Sequence, residues 1–134
     1  MRLKIVLGIV LGAVAMVVPA VAHHAHGNYE TDSIDLEGVV MQFHILNPHA
    51  WLYITVKDAS GKEQVWALES DGPKDNYRAL VKEGIGPKPG DVVKARCHAL
   101  RDGSPGCLMG YLKTTDGVAR DFDMGGVPVK VEGF

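Results

Sequence analysis

The chain has 134 residues, 46% of them hydrophobic and 22% charged, with a formal net charge of −2. That length suits one domain with a modest core. The mild acidity, with no cluster of Lys and Arg, predicts no nucleic-acid partner. The residues with distinctive chemistry are two cysteines and six histidines.

The first 22 residues read as a leader. Arg2 and Lys4 precede an apolar run from Ile5 to Val18, Pro19 breaks it, and Ala20 and Ala22 supply small residues. This is the basic, apolar and A-x-A order of a secretory signal. A spanning helix needs about 18 unbroken apolar residues, so the pattern predicts cleavage, export to the periplasm or medium, and no stable membrane insertion afterwards. The preferred cut follows Ala22, and a second candidate follows Ala20. Cleavage removes two basic residues and no acidic one, which leaves a net charge of −4. Every histidine and both cysteines lie beyond the cut.

Residues 23–33 form a polar stretch without periodicity, read as an arm carrying His23, His24 and His26. The domain proper is expected over 34–134. Alternation predicts a first strand over 35–45, buried through Val39, Met41 and Phe43. Leu46-Asn47-Pro48 interrupts it. A second strand follows over 49–57, with Leu52, Ile54 and Val56 on one face and His49, Trp51, Tyr53 and Thr55 on the other. Asp58-Ala59-Ser60-Gly61 marks a turn, and a third strand is expected over 63–69.

The period then changes. Gly72-Pro73 suits a helix start with Pro at the first position. Tyr77, Leu80 and Val81 recur at helical spacing, and Gly84 suits the stop, giving a helix over 73–83. Lys88-Pro89-Gly90-Asp91 matches a type II turn. Strands are expected over 91–100 and 106–114, with weaker ones near 119–124 or 127–131. Three strands, a helix and two or three more strands is the order of a small OB-fold barrel of five to six strands. Another α+β barrel could share that order.

Cys97 and Cys107 fit an oxidising compartment. A three-residue loop Arg101-Asp102-Gly103 would set them directly opposite each other for a hairpin disulfide. The rival assignment, two thiolate ligands, lacks CxxC spacing.

Three features together resemble a known family. They are the Ala-His-His start, the strand opening Leu36-Glu37-Gly38-Val39-Val40, and the segment Asn47-Pro48-His49-Ala50-Trp51-Leu52-Tyr53-Ile54. These residues are similar to a bacterial family of small secreted proteins, domain-of-unknown-function family 6152. The resemblance runs over about His23 to Thr114 and implies export and a β-barrel-like domain without an activity. The chain departs from the family's usual Ser-Phe at Ala25-His26. A looser fold-level likeness is to periplasmic copper chaperones built on OB-folds.

The chemistry centres on histidine. Cleavage after Ala22 would place the α-amine and imidazole of His23 together, and such nitrogen donors favour Cu(II). His24 or His49 could complete a three-nitrogen site like the histidine brace of copper monooxygenases. Cleavage after Ala20 would put His23 third, which also chelates Cu(II). The alternative is a His-rich arm with weak, unselective metal affinity. Pro48 restricts Asn47 and delivers His49 at a strand start beside Trp51 and Tyr53. That surface could take a metal or a planar ligand, or His49 could simply bond local backbone. His44 could face the same rim, and His98 is read as surface.

The expected metal ligands are thus His23, His24, His26, His49 and His44, holding copper, or zinc as the alternative, with no organic cofactor. The second hypothesis is a small-ligand- or protein-binding module using Asn47, Trp51 and Tyr53, its protein partner unspecified. The third is a copper redox enzyme. No Gly-x-Ser-x-Gly, HExxH or phosphate loop appears, which weighs against an enzyme while leaving the question open. Glu69 and Asp71 are close in sequence with nothing to mark them as an acid–base pair.

Overall fold

A computed structural model describes residues 26–134. The expected leader, its cleavage sites, His23 and His24 lie outside the described residues. A 3-10 turn at His26–Asn28 leads into β1 (Tyr29–Ile45), β2 (Ala50–Lys57), β3 (Glu63–Ser70), α1 (Lys74–Lys82), β4 (Val92–Leu100), β5 (Gly106–Lys113), β6 (Ala119–Asp121) and β7 (Val127–Pro128). Strands β1 to β3 and β4 to β5 run antiparallel. A short parallel pairing of β3 with β5 closes the ring in the order β1-β2-β3-β5-β4-β1. With α1 between the third and fourth strands, this is the OB-fold arrangement. The short β6 and β7 extend the sheet beyond β5.

The first strand is longer than its alternation predicts. Its N-terminal half pairs with β4 and its C-terminal half with β2, and Val39 faces Val92 on one side and Thr55 on the other. Residues 29–33, expected to belong to an arm, are already strand because Tyr29 pairs with Leu100 and Ser33 with His98. Gly38 sits where β1 bends, and a Cβ there would press on the Thr55 carbonyl at 2.7 Å, so only glycine permits this approach.

The expected inward face of β1 requires correction. Val39 and Met41 are exposed, whereas Val40 is 2% exposed. The pairing steps from Val40↔Ile54 to Gln42↔Tyr53, leaving Met41 as an extra residue in a bulge. A bulge exchanges the two faces. Val40 therefore points inward before it and Phe43 packs against the core after it. The other strands keep their expected faces, with Leu52, Ile54 and Leu68 wholly buried and Trp66 packed beside them.

Helix α1 plugs one end of the barrel. Its Tyr77 is 0% exposed, stacks on Phe122 at 5.2 Å and meets Phe43 edge-on at 6.0 Å. The phenol donates to the Phe122 carbonyl and shares a hydrogen bond with Ser70 Oγ, so the buried hydroxyl is satisfied. Burial pushes its pKa up to about 12. Gly72 makes room for this: a Cβ there would overlap the Tyr77 hydroxyl and the Phe122 carbonyl. At the other end of the helix, Gly84 adopts φ 77° and ends it as expected.

Cys97 and Cys107 form a disulfide with Cα atoms 5.7 Å apart. The hairpin around it differs from the expected one. Residues 101–105 make a five-residue connection, Cys107 pairs with Ala99, and Cys97 pairs with Met109, so the bridge runs diagonally. The longer loop arises because the Pro105 carbonyl accepts from Ala67 N (3.1 Å) and Gly106 joins β3, which draws these residues away from β4. Both sulfurs belong to the core.

The outer face of β4 and β5 gathers charge that the sequence leaves scattered. Lys94 pairs with Lys113, and with Arg96 they place three cations 5.1–5.4 Å from the Phe134 ring. Asp35 pairs with Arg96 at 2.7 Å. On the β5–β6 turn, the buried Arg120 guanidinium bonds Thr114 Oγ1 at 3.0 Å and Asp116 Oδ2 at 2.5 Å.

Two outcomes follow. Reducing the disulfide should lower stability by about 2–3 kcal/mol, the loop-closure value for a short closed loop; urea melts with and without reductant measure it. Arg120 also holds the Asp116 carboxyl well below the usual carboxylate range. That contribution is present above the ordinary carboxylate pKa and is lost as pH falls through the lowered one. Asp116→Asn should therefore cost about 1–2 kcal/mol at neutral pH. The gap from wild type should narrow progressively below about pH 4, as read by melts across pH.

Candidate metal centre

The β2–β3 hairpin builds the site. Asp58 Oδ1 accepts from Ser60 N at 2.8 Å and Lys62 N at 3.0 Å, and Gly61 takes φ 83°. This turn fixes Lys57 opposite Glu63, and the ladder then runs without a slip to Trp51↔Glu69 and Ala50↔Ser70. One further step brings His49 to Asp71. Strand alternation places His49 and Trp51 with Glu69 and Asp71 on the outer face, while Leu52, Leu68 and Ser70 fill the interior. The connection into β2 contains a cis Asn47–Pro48 bond.

The side chains converge as the register requires. His49 Nδ1 lies 2.9 Å from Glu69 Oε1 and also bonds Asp71 Oδ1. One ligand atom from each of the three residues falls within 4.8 Å of the others. Side-chain exposures of 21%, 16% and 30% for His49, Glu69 and Asp71 describe a shallow, accessible group. The Tyr29 hydroxyl donates to Glu69 Oε2. Burial, and then the hydrogen bond and charge of Glu69, hold the Tyr29 proton well above the usual phenol range. Lys74 extends the electrostatics: its ammonium bonds the Gly72 carbonyl at 2.7 Å and the Ser70 carbonyl at 3.3 Å. Desolvation lowers its pKa, opposed by the charges of Asp71 and Glu69.

An imidazole nitrogen beside two carboxylate oxygens is a donor set for a divalent first-row metal.

Of the expected ligands, His49 is in the cluster. His44 is exposed on β1, pairs across from Trp51 and meets the Tyr53 ring edge-on at 5.8 Å. Trp51 and Tyr53 are half-buried and Asn47 is exposed. His26 opens the turn ahead of Tyr29. His98, read as surface, is only partly so: its Nδ1 is buried with no hydrogen-bond partner among the described residues. The sequence marks Glu69 and Asp71 only as neighbours without a role, and does not single out Tyr29 or Lys74. The signal for the first two was the hairpin itself, since a turn at 58–61 with Lys57 facing Glu63 already sets His49 across from Asp71.

The family of unknown function DUF6152 matches residues 11–109. The chain belongs to that family. No curated protein matches. Among solved structures, the mitochondrial single-stranded DNA binding protein Rim1 of S. cerevisiae is similar over 64% of this chain and 95% of its own, at 9% identity and a TM-score of 0.49. Among the described residues, no helix is long and apolar enough to cross a membrane.

Ion pairs that keep some contact with solvent contribute little to folding. His49→Ala should therefore change the unfolding free energy of the metal-free protein by less than about 1 kcal/mol, checked by urea denaturation, and so serve as a clean probe of binding.

Proposed function

We propose that this DUF6152 protein is exported and binds a divalent metal ion, Cu(II) first and Zn(II) as the alternative. His49, Glu69 and Asp71 form the core of the site, and the arm histidines complete it. The observation that carries this reading is the convergence of one imidazole nitrogen and two carboxylate oxygens within 4.8 Å on a fixed hairpin. Copper heads the affinity order for nitrogen and oxygen ligands. Zinc accepts the same types and in catalytic sites uses three protein ligands with one open position.

The arm is within reach. His26 stands three residues before Tyr29, whose phenol bonds Glu69. At about 3.3–3.6 Å per extended residue, His26 lies no more than about 11 Å from the Tyr29 Cα, and His23 no more than about 21 Å. Imidazoles tethered at such distances act at high effective concentration. His44 is a further donor at the rim. The leader pattern and the disulfide both favour a periplasmic or secreted location.

One observation favours a second reading. His44, Trp51 and Tyr53 make an aromatic strip on the outer face next to Glu69. With Asn47 this strip suits a planar ligand or a protein partner. The redox reading, a brace at His23, requires that residue at the mature terminus.

The test uses untagged protein recovered from the periplasm. Intact mass fixes its terminus and metal analysis its content, followed by titration with Cu(II) and Zn(II). Near-stoichiometric metal, with affinity falling at least about tenfold in His49→Ala, is the expected result. Copper affinity no better than that of a short His-rich peptide, and indifferent to His49→Ala, overturns the metal reading. A co-purifying partner lost in Trp51→Ala would then put the second reading first. Unchanged binding after two residues are added ahead of His23 removes the brace.

A further inference from the structure

We infer that Tyr29 is a positioning residue of the metal site, coupling metal occupancy to the docking of the start of β1. This rests on the metal reading above and names a residue that is not itself a ligand. Glu69 has two carboxylate oxygens with separate duties. Oε1 faces His49 Nδ1 at 2.9 Å, and Oε2 accepts the Tyr29 hydroxyl. A carboxylate held by one oxygen offers the other in a fixed direction, which is how outer-shell donors orient metal ligands. Without the phenol, Glu69 at the end of β3 would have its rotamers to choose from, and binding would have to order it.

The phenol comes from far away in the sequence and from the opposite side of the closing seam. Tyr29 pairs with Leu100 of β4, whereas Glu69 lies on β3 and pairs with Leu108 of β5. The hydroxyl thus links β1 to β3 over the outer surface of β4 and β5. Tyr29, His98 and Leu108 line one cavity of about 380 Å³ along this path.

The backbone around Tyr29 is held at few points. Between Tyr29↔Leu100 and Ser33↔His98, β1 advances four residues while β4 advances two, so the ladder is interrupted there. Beyond the ladder, Arg101 Nε bonds the Tyr29 carbonyl and Arg101 N the Asn28 carbonyl, each at 2.9 Å, and Arg101 Nε lies 3.9 Å from Glu30 Oε2. A locally weak segment of this kind opens at low cost. Its side-chain tie to a metal ligand makes the two events reciprocal: whatever docking contributes to metal affinity, metal binding returns as protection of the docked strand.

The experiment uses the exported, untagged protein with Zn(II) and Cu(II) as probes. It compares wild type, Tyr29→Phe, Glu69→Ala and the double variant by competition titration, and follows amide exchange over 29–33 with and without Zn(II). Tyr29→Phe is expected to weaken binding about 10- to 100-fold and to add no further loss in the Glu69→Ala background. Metal is expected to slow exchange at 29–33 in wild type and not in Tyr29→Phe. A purely structural role would predict equal losses from Tyr29→Phe in both backgrounds. Such equal losses overturn the inference, as does wild-type affinity in Tyr29→Phe with no metal effect on exchange, provided His49→Ala still weakens binding. A visible charge-transfer band with Cu(II) that vanishes in Tyr29→Phe also overturns it, by making the phenolate a ligand. If wild type binds neither ion, the metal reading itself fails and takes this one with it.

Discussion

The parallel seam between β3 and β5 is the constraint on which the rest depends. It is only three residue pairs long: Ala67↔Gly106, Leu68↔Cys107 and Glu69↔Leu108. Parallel pairing gives less per residue than antiparallel pairing, so so short a seam needs support from both sides. The disulfide supplies it on one side, because Cys107 is both a seam residue and the partner of Cys97. The buried stack of Tyr77 on Phe122, met edge-on by the partly buried Phe43, supplies it on the other. Closing the sheet also leaves β3 and β5 with a partner where each would otherwise present an edge.

The candidate site inherits its geometry from that closure. Glu69 is the last seam residue and also lies 2.9 Å from His49 Nδ1. The outer face of the seam therefore joins two things that are separate in the chain: the His49–Asp71 end of the β2–β3 hairpin, and the Tyr29 phenol carried round from β1. The convergence of His49, Glu69 and Asp71 is the observation on which the proposed metal binding rests.

How much of this was legible beforehand depended on whether the signal was local. The turn at Asp58–Gly61, the helix stop at Gly84 and the alternation of Leu52 with Ile54 are properties of a few neighbouring residues, and each appeared as expected. The inward face of β1 was not legible, because one bulge at Met41 reverses the parity of everything after it and leaves no mark in composition. The pairing of Cys97 with Cys107 was readable, but its diagonal register was not, since Pro105 and Gly106 answer to β3 as well as to their own hairpin. His49 stood out by type. Glu69 and Asp71 did not, because acidic residues are ordinary on strand ends and only the cross-strand register gives them a partner.

By itself, the sequence determined the strand–helix–strand order, the turn at Asp58–Gly61, the cysteine pair and the family. These depend on backbone preferences and side-chain periods that act over fewer than about a dozen residues. Only the tertiary structure decided which oxygen of Glu69 meets His49, that Tyr29 claims the other, and that Lys94, Arg96 and Lys113 share one face. The Tyr29–Glu69 contact joins strands that meet only once the barrel has closed, and the others depend on side-chain placement that hairpin register alone leaves open. Closure is set by the summed packing of the whole core rather than by any local stretch of chain.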